Sequence, residues 1–136
     1  MNIDISEDRK EMIDMARELV SIVKEKMIEY YAGDSRRVHH FLKVHSFAKL
    51  IAEIENMDPG EQEVLEIAAL THDIGIKNAE LKYGYNNGRL QEQEGPPEAR
   101  RLLRDAGADE RAVERACYLV AHHHTYRNID LSLIHI

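Results

Sequence analysis

An all-α fold follows from three observations. Apolar residues recur at three- and four-residue steps in one segment after another. The few glycines and prolines fall between those segments. No stretch alternates apolar and polar residues as a half-buried strand would, and no hairpin signal or internal repeat is present. The chain has 136 residues, 43% hydrophobic and 32% charged, which suits one domain with a single core and excludes a disordered or low-complexity chain. The expectation is a bundle of about five helices.

The elements follow in order. Ser6 can cap a first helix over about 7–31, with Glu7 and Asp8 favourable in its first turn. Met12, Ala16, Leu19, Val23 and Met27 form its apolar stripe, and Met12, Met15 and Met27 read as core material. Gly33-Asp34-Ser35 breaks that helix and caps a second, from about Arg36 to Met57. This one is apolar on two sides. Val38, Phe41, Leu42, His45 and Ala52 share one face; His40, Val44, Phe47, Ile51 and Ile54 share the other. Such a helix is expected to be buried between neighbours. Asp58-Pro59-Gly60-Glu61 starts a third helix, which carries Val64, Leu65, Ala68, Ala69 and His72 and stops at Gly75. Residues 76–95 read as irregular, a loop long enough to suggest function. Pro96-Pro97 opens a fourth helix ending at Gly107, and Asp109 caps a fifth with Val113, Ala116, Cys117 and Val120 on one face.

Charge and cysteine content narrow the classes further. Lys and Arg total 18 against 25 Asp and Glu, a net charge of −7, so the footprint of a general nucleic-acid binder is missing. No apolar run approaches the ~20 residues that span a bilayer, and the first residues lack the pattern of a signal peptide. The single Cys117 cannot close an internal disulfide. These features point to the cytoplasm, with no membrane and no nucleic-acid partner; oligomeric state is left open.

The eight histidines are the unusual feature. His40 lies in register with Val44, Phe47 and Ile51; His72 continues the stripe of Leu65 and Ala68, with Asp73 beside it; His123 and His124 continue the stripe of Val113, Cys117 and Val120, whereas His122 falls on the opposite side at ~100° per residue. One histidine on an apolar face is ordinarily a core residue bonded to a backbone carbonyl. Three helices that each bring one inward, with an aspartate, are a different case. Burying several imidazoles with a carboxylate costs several kcal/mol unless something pairs with them. A divalent cation accepts neutral imidazole nitrogens and keeps the carboxylate ionised.

His40, then His72-Asp73 within LTHDIGI, then a helix ending in the cluster of YLVAHHHTY, resembles the HD-domain superfamily of metal-dependent phosphohydrolases. HFLKVHSFAKLIA is similar to the family's first-histidine helix, which favours His40 over His39 or His45. The resemblance spans about Arg36 to Arg127. It implies a helical HD bundle with His40, His72, Asp73 and His123 as metal ligands. The metal is open among Mn, Ni, Mg, Fe and Zn, in one or two copies. It implies hydrolysis of a small phosphorylated substrate, a nucleotide or phosphoester, by a metal-activated water. Asp73 serves as ligand and charge balance, and His124, the histidine left over, is a candidate proton donor. Glu94, in GRLQEQEGPPEARRLL, stands where relatives with two metals place a further ligand; it reads as a second-metal ligand, a general base or a helix-start acid. Lys77, Lys82 and Arg89 are candidate phosphate contacts, each also explicable as a solvated charge. Two other readings remain: a dinuclear iron oxygenase on the same ligands, and a non-catalytic nucleotide-sensing module.

The pattern departs from the family at the C-terminus, where a later metal-binding aspartate is expected and only Asp130 is present. The last six residues, Leu131 to Ile136, match the translation of a transposon-end adapter used for sequencing libraries. The expectation is therefore one domain over 1–130, a metal-site core over 36–127, a non-native tail over 131–136, and one or more family helices missing.

Overall fold

The computed structural model describes residues 5–122. They form six helices: α1 (Ile5–Tyr30), α2 (Ser35–Ile54), α3 (Pro59–Thr71), α4 (Gly75–Tyr83), α5 (Gly88–Asp105) and α6 (Glu110–His122). No strand occurs among the described residues, so the all-α expectation holds.

Helix α3 is the axis of the molecule. Every residue from Val64 to Thr71 is buried, because α1, α2 and α6 all pack around it. Its start is fixed locally: the Asp58 carboxylate accepts from the N–H groups of Gly60 and Glu61, and Pro59 supplies a preset first turn without a donor of its own. The main core joins Val23, Met27 and Tyr31 of α1 and its end to Phe41 of α2, Ile67 and Leu70 of α3, and Leu103, Val113 and Val120 of α5 and α6. A side chain of this kind contributes roughly 1.5–3 kcal/mol when fully buried. A smaller apolar cluster (Ala48, Ala52, Leu65, Ala69) seals α2 onto α3 through small side chains. Cys117 is buried, and burial pushes its thiol upward, which suits an inert side chain.

Five details differ from the sequence reading. The stretch 76–95 is mostly helical: it holds α4, ended by Gly84 in the left-handed conformation (φ 82), and the first turns of α5. Helix α5 begins at Gly88, capped by the Asn87 side chain accepting from Leu90 N–H, so Pro96-Pro97 lie inside it rather than at its start. Met12 and Met15 are exposed rather than core, because the inward face of α1 at this level is formed by Ile13 and Ala16. On α2, Phe47 (47% exposed) and Ile54 (72%) face outward while Val44 packs on the smaller cluster, so the second of its two apolar faces is only partly covered. That helix also stops earlier than expected, at Ile54, where Asn56 takes a left-handed backbone (φ 53).

Candidate metal centre

Helix α2 carries His40 in its second turn. Helix α3 ends at Thr71, and His72 caps it, so Asp73 stands in the short turn before α4. The packing of α2 on α3 brings these residues together. One ligand atom from each of His40, His72 and Asp73 lies within 4.8 Å of the other two. Asp73 Oδ2 is 3.2 Å from His40 Nε2 and 3.1 Å from His72 Nε2. The His40 side chain is 55% exposed, so the cluster opens to solvent on the α2 side.

The donor set fits a divalent cation. Ligands bound at 2.0–2.2 Å and at right angles around one centre stand about 3 Å apart, which is the spacing seen here. The tautomer also fits. His72 Nδ1–H donates to the Ala69 carbonyl at 2.6 Å, so the lone pair of neutral His72 is on Nε2, the nitrogen that faces Asp73. Burial opposes charge on His72, and the neighbouring Asp73 carboxylate outweighs it, so the ring's pKa is raised. Two imidazoles and a carboxylate are hard-to-borderline donors, suited to the first-row divalent metals and magnesium.

The turn that holds Asp73 is fastened from two sides. Tyr31, 3% exposed, donates its hydroxyl to the Asp73 carbonyl at 2.7 Å. Burial pushes that hydroxyl's pKa well above the ordinary tyrosine value, so it remains a donor. From the other side, α5 presses against the first residue of α4. A Cβ on Gly75 would stand 2.7 Å from both Gln91 O and Gly95 N, and one on Gly95 would stand 3.0 Å from Val120 Cγ1. Gly75, Gly95 and Val120 therefore stack α4, α5 and α6 at near-backbone contact beside the His-Asp turn.

The remaining candidates are distributed as follows. Glu94 is buried in the second turn of α5, so its reading as a helix-start acid is excluded. Its Oε1 accepts from Lys82 Nζ at 2.6 Å, and that ammonium holds the carboxyl below the ordinary glutamate range. Lys82 is thus bound to Glu94 and not to solvent alone. Lys77 donates to the Tyr30 carbonyl at 3.0 Å and lies over that tyrosine ring. Arg89 is exposed in the first turn of α5. His123 and His124 lie outside the described residues, as do Asp130 and the segment 131–136. His122, set aside on helical spacing, turns its Nδ1 back to the Tyr118 carbonyl at 2.8 Å.

Sequence reasoning missed a polar chain near this site. Arg37, one turn before His40, forms a bidentate pair with Glu80 of α4 at 2.8 and 3.0 Å. Glu80 also accepts from Asn86, whose own carbonyl accepts from Gln91 of α5, both at 2.8 Å. The one available signal was the clustering of Asn86, Asn87 and Gln91 next to charged residues, which does not name a partner.

The sequence profile of the HD domain matches residues 37–134. The chain belongs to the HD-domain family. No curated protein matches the chain, and no solved structure does. The HD match begins at the polar Arg37 and takes in every residue of the cluster; it leaves α1 outside. HD domains form a superfamily of metal-dependent phosphohydrolases, and His40, His72 and Asp73 of this HD domain are positioned to hold a divalent metal. No helix among the described residues is long and apolar enough to cross a membrane.

Proposed function

We propose that this HD domain hydrolyses a small phosphorylated compound, a nucleotide or phosphoester, with a divalent metal held by His40, His72, Asp73 and His123. The observation that carries the reading is the convergence of two imidazole nitrogens on one Asp73 oxygen, at 3.2 and 3.1 Å. A bound divalent cation supplies an activated water and neutralises charge on phosphate oxygens.

The chain's own residues supply the rest. Ala69 and Tyr31 fix the orientation of His72 and the backbone of Asp73, so the donor atoms are set before a ligand arrives. Asp73 balances charge. Glu94, kept ionised by Lys82, can take a proton, and His124 is the assigned proton donor to the leaving group. Arg89 and Lys77 are the assigned contacts to substrate phosphate, with Lys82 reaching it while still paired to Glu94.

The test is phosphate release from a panel of nucleotides and small phosphoesters with manganese, nickel or magnesium. Asp73→Ala is expected to abolish metal-dependent release while the helical circular dichroism stays near that of the parent. Unchanged turnover in Asp73→Ala removes the reading. Oxygen consumption with ferrous iron, without phosphate release, assigns the same ligands to an oxygenase instead.

A further inference from the structure

A cavity of about 410 Å³ lies between α1, the later turns of α2 and the start of α3. That size is within the range of small-molecule sites, roughly 300–1,000 Å³. None of His40, His72 and Asp73 lines it, so it is separate from the metal cluster.

Its charges are unusual for this chain. Arg9, Arg17 and Lys24 line it from one face of α1, at seven- and eight-residue spacing, and Lys49 lines it from α2. Among the described residues none of these four has a carboxylate within 4.0 Å, whereas Arg37, Arg100, Arg101, Arg104, Arg111 and Arg115 each do. Four cations thus line one cavity in a protein of net charge −7, against the three carboxylates of Glu53, Glu63 and Glu66 in the same lining.

The floor is built rather than open. His45 and Glu66 are 4% and 7% exposed and meet at 2.8 Å, and Gln62 donates to the second Glu66 oxygen at 2.9 Å. Burial alone would push the Glu66 carboxyl up; the His45 and Gln62 hydrogen bonds reverse that and hold it low. Both Glu66 oxygens are therefore occupied by partners within the protein. Glu53 and Glu63 also line the cavity and can accept hydrogen bonds from a ligand. Ile13, Ala16 and Val20 supply an apolar wall.

We propose that this cavity binds a small di- or triphosphorylated molecule, its phosphates on Arg9, Arg17, Lys24 and Lys49 and its hydroxyl or amino groups on Glu53 and Glu63. The site is independent of the metal chemistry. The probe is ADP, titrated calorimetrically into the full chain at low ionic strength without divalent metal. Saturable one-site binding is expected. Arg17→Ala with Lys24→Ala is expected to weaken it at least tenfold, and Lys49→Gln, on the opposite wall, at least threefold. Lys10→Ala with Lys26→Ala removes the same charge from α1 outside the cavity and is expected to change the affinity less than twofold.

Asp73→Ala is expected to bind ADP as the parent does; loss there would move the ligand to the metal cluster and overturn the assignment. No saturable binding at millimolar ADP overturns it too, as does an equal loss in the two α1 pairs. Inorganic pyrophosphate is expected to bind at least fivefold more weakly than ADP, and equal affinity overturns the part assigned to Glu53 and Glu63.

Discussion

Replacing Gly75 with alanine tests how tightly the His-Asp turn is built. The added Cβ would stand 2.7 Å from Gln91 O and from Gly95 N, and 3.0 Å from Gly95 Cα. Comfortable contact begins at about 3.4 Å, so α4 and α5 must separate by roughly 0.7 Å. All three atoms are backbone, and no rotamer change relieves them. Overpacking of this kind costs about 1–3 kcal/mol. A central value near 2 kcal/mol lowers the melting temperature by about 8 °C in a domain of this size.

Asp73 is two residues upstream, and a site tolerates displacement of only about 0.5 Å. Manganese affinity should fall by roughly tenfold or more along with stability. Urea denaturation with and without manganese, together with metal calorimetry, measures both quantities. Gly95→Ala is the internal comparison: its Cβ meets one side-chain methyl of Val120 at 3.0 Å and no backbone atom closer than 3.7 Å, so it should cost less. A Gly75→Ala protein within about 0.5 kcal/mol of the parent, with unaltered manganese binding, would refute the close-contact argument.

Three further outcomes are expected. Tyr31→Phe removes the 2.7 Å hydrogen bond to the Asp73 carbonyl; it should cost about 1–2 kcal/mol in chemical denaturation and weaken metal binding, and a change in neither would deny Tyr31 its fastening role. Glu66→Gln replaces a buried carboxylate whose folded pKa is lowered from the ordinary 4.5. A lowered carboxyl pKa stabilises above the unfolded value and loses that contribution as pH falls through the folded one, so the stability gap between parent and variant should be full near pH 7 and close in acid; a gap independent of pH contradicts this. Glu94→Gln should depress phosphate release while leaving the affinity of the His40–His72–Asp73 cluster for its metal within about twofold, and full activity would remove Glu94 from the chemistry.

Helices α2, α3 and α6 were legible because each couples a cap to a sustained apolar stripe: Asp34, Asp58 and Asp109 all accept backbone N–H groups as their positions suggested, whereas α1 was legible from its stripe alone, since it starts at Ile5 and holds Ser6, the expected cap, inside it. Helix α4 was not. It is nine residues long, begins with glycine and has no side-chain cap, so its stability comes from packing on α5 rather than from local signals. Pro96-Pro97 looked like a helix start because proline suits a first turn; the pair withholds two donors within α5, whose true start is the Asn87 cap.

The paired ligands His40, His72 and Asp73 could be named from spacing and family likeness. The anchors Tyr31 and Ala69 could not, since one acts through a hydroxyl reaching across 42 positions and the other through a carbonyl that any residue carries. The outward apolar face of α2 shows the same limit. Periodicity tells which residues share a stripe, and not whether anything covers it.

Helix α1 has a consequence for where this protein can be cut. The HD match starts at residue 37, yet Tyr31, immediately after α1, reaches the peptide oxygen of Asp73, and Val23 and Met27 lie in the main core. A fragment trimmed to the profile would keep every proposed ligand among the described residues and lose the beam they rest against. The limits of kinship recorded in the sequence are therefore narrower than the limits of the unit that must melt or survive as a whole.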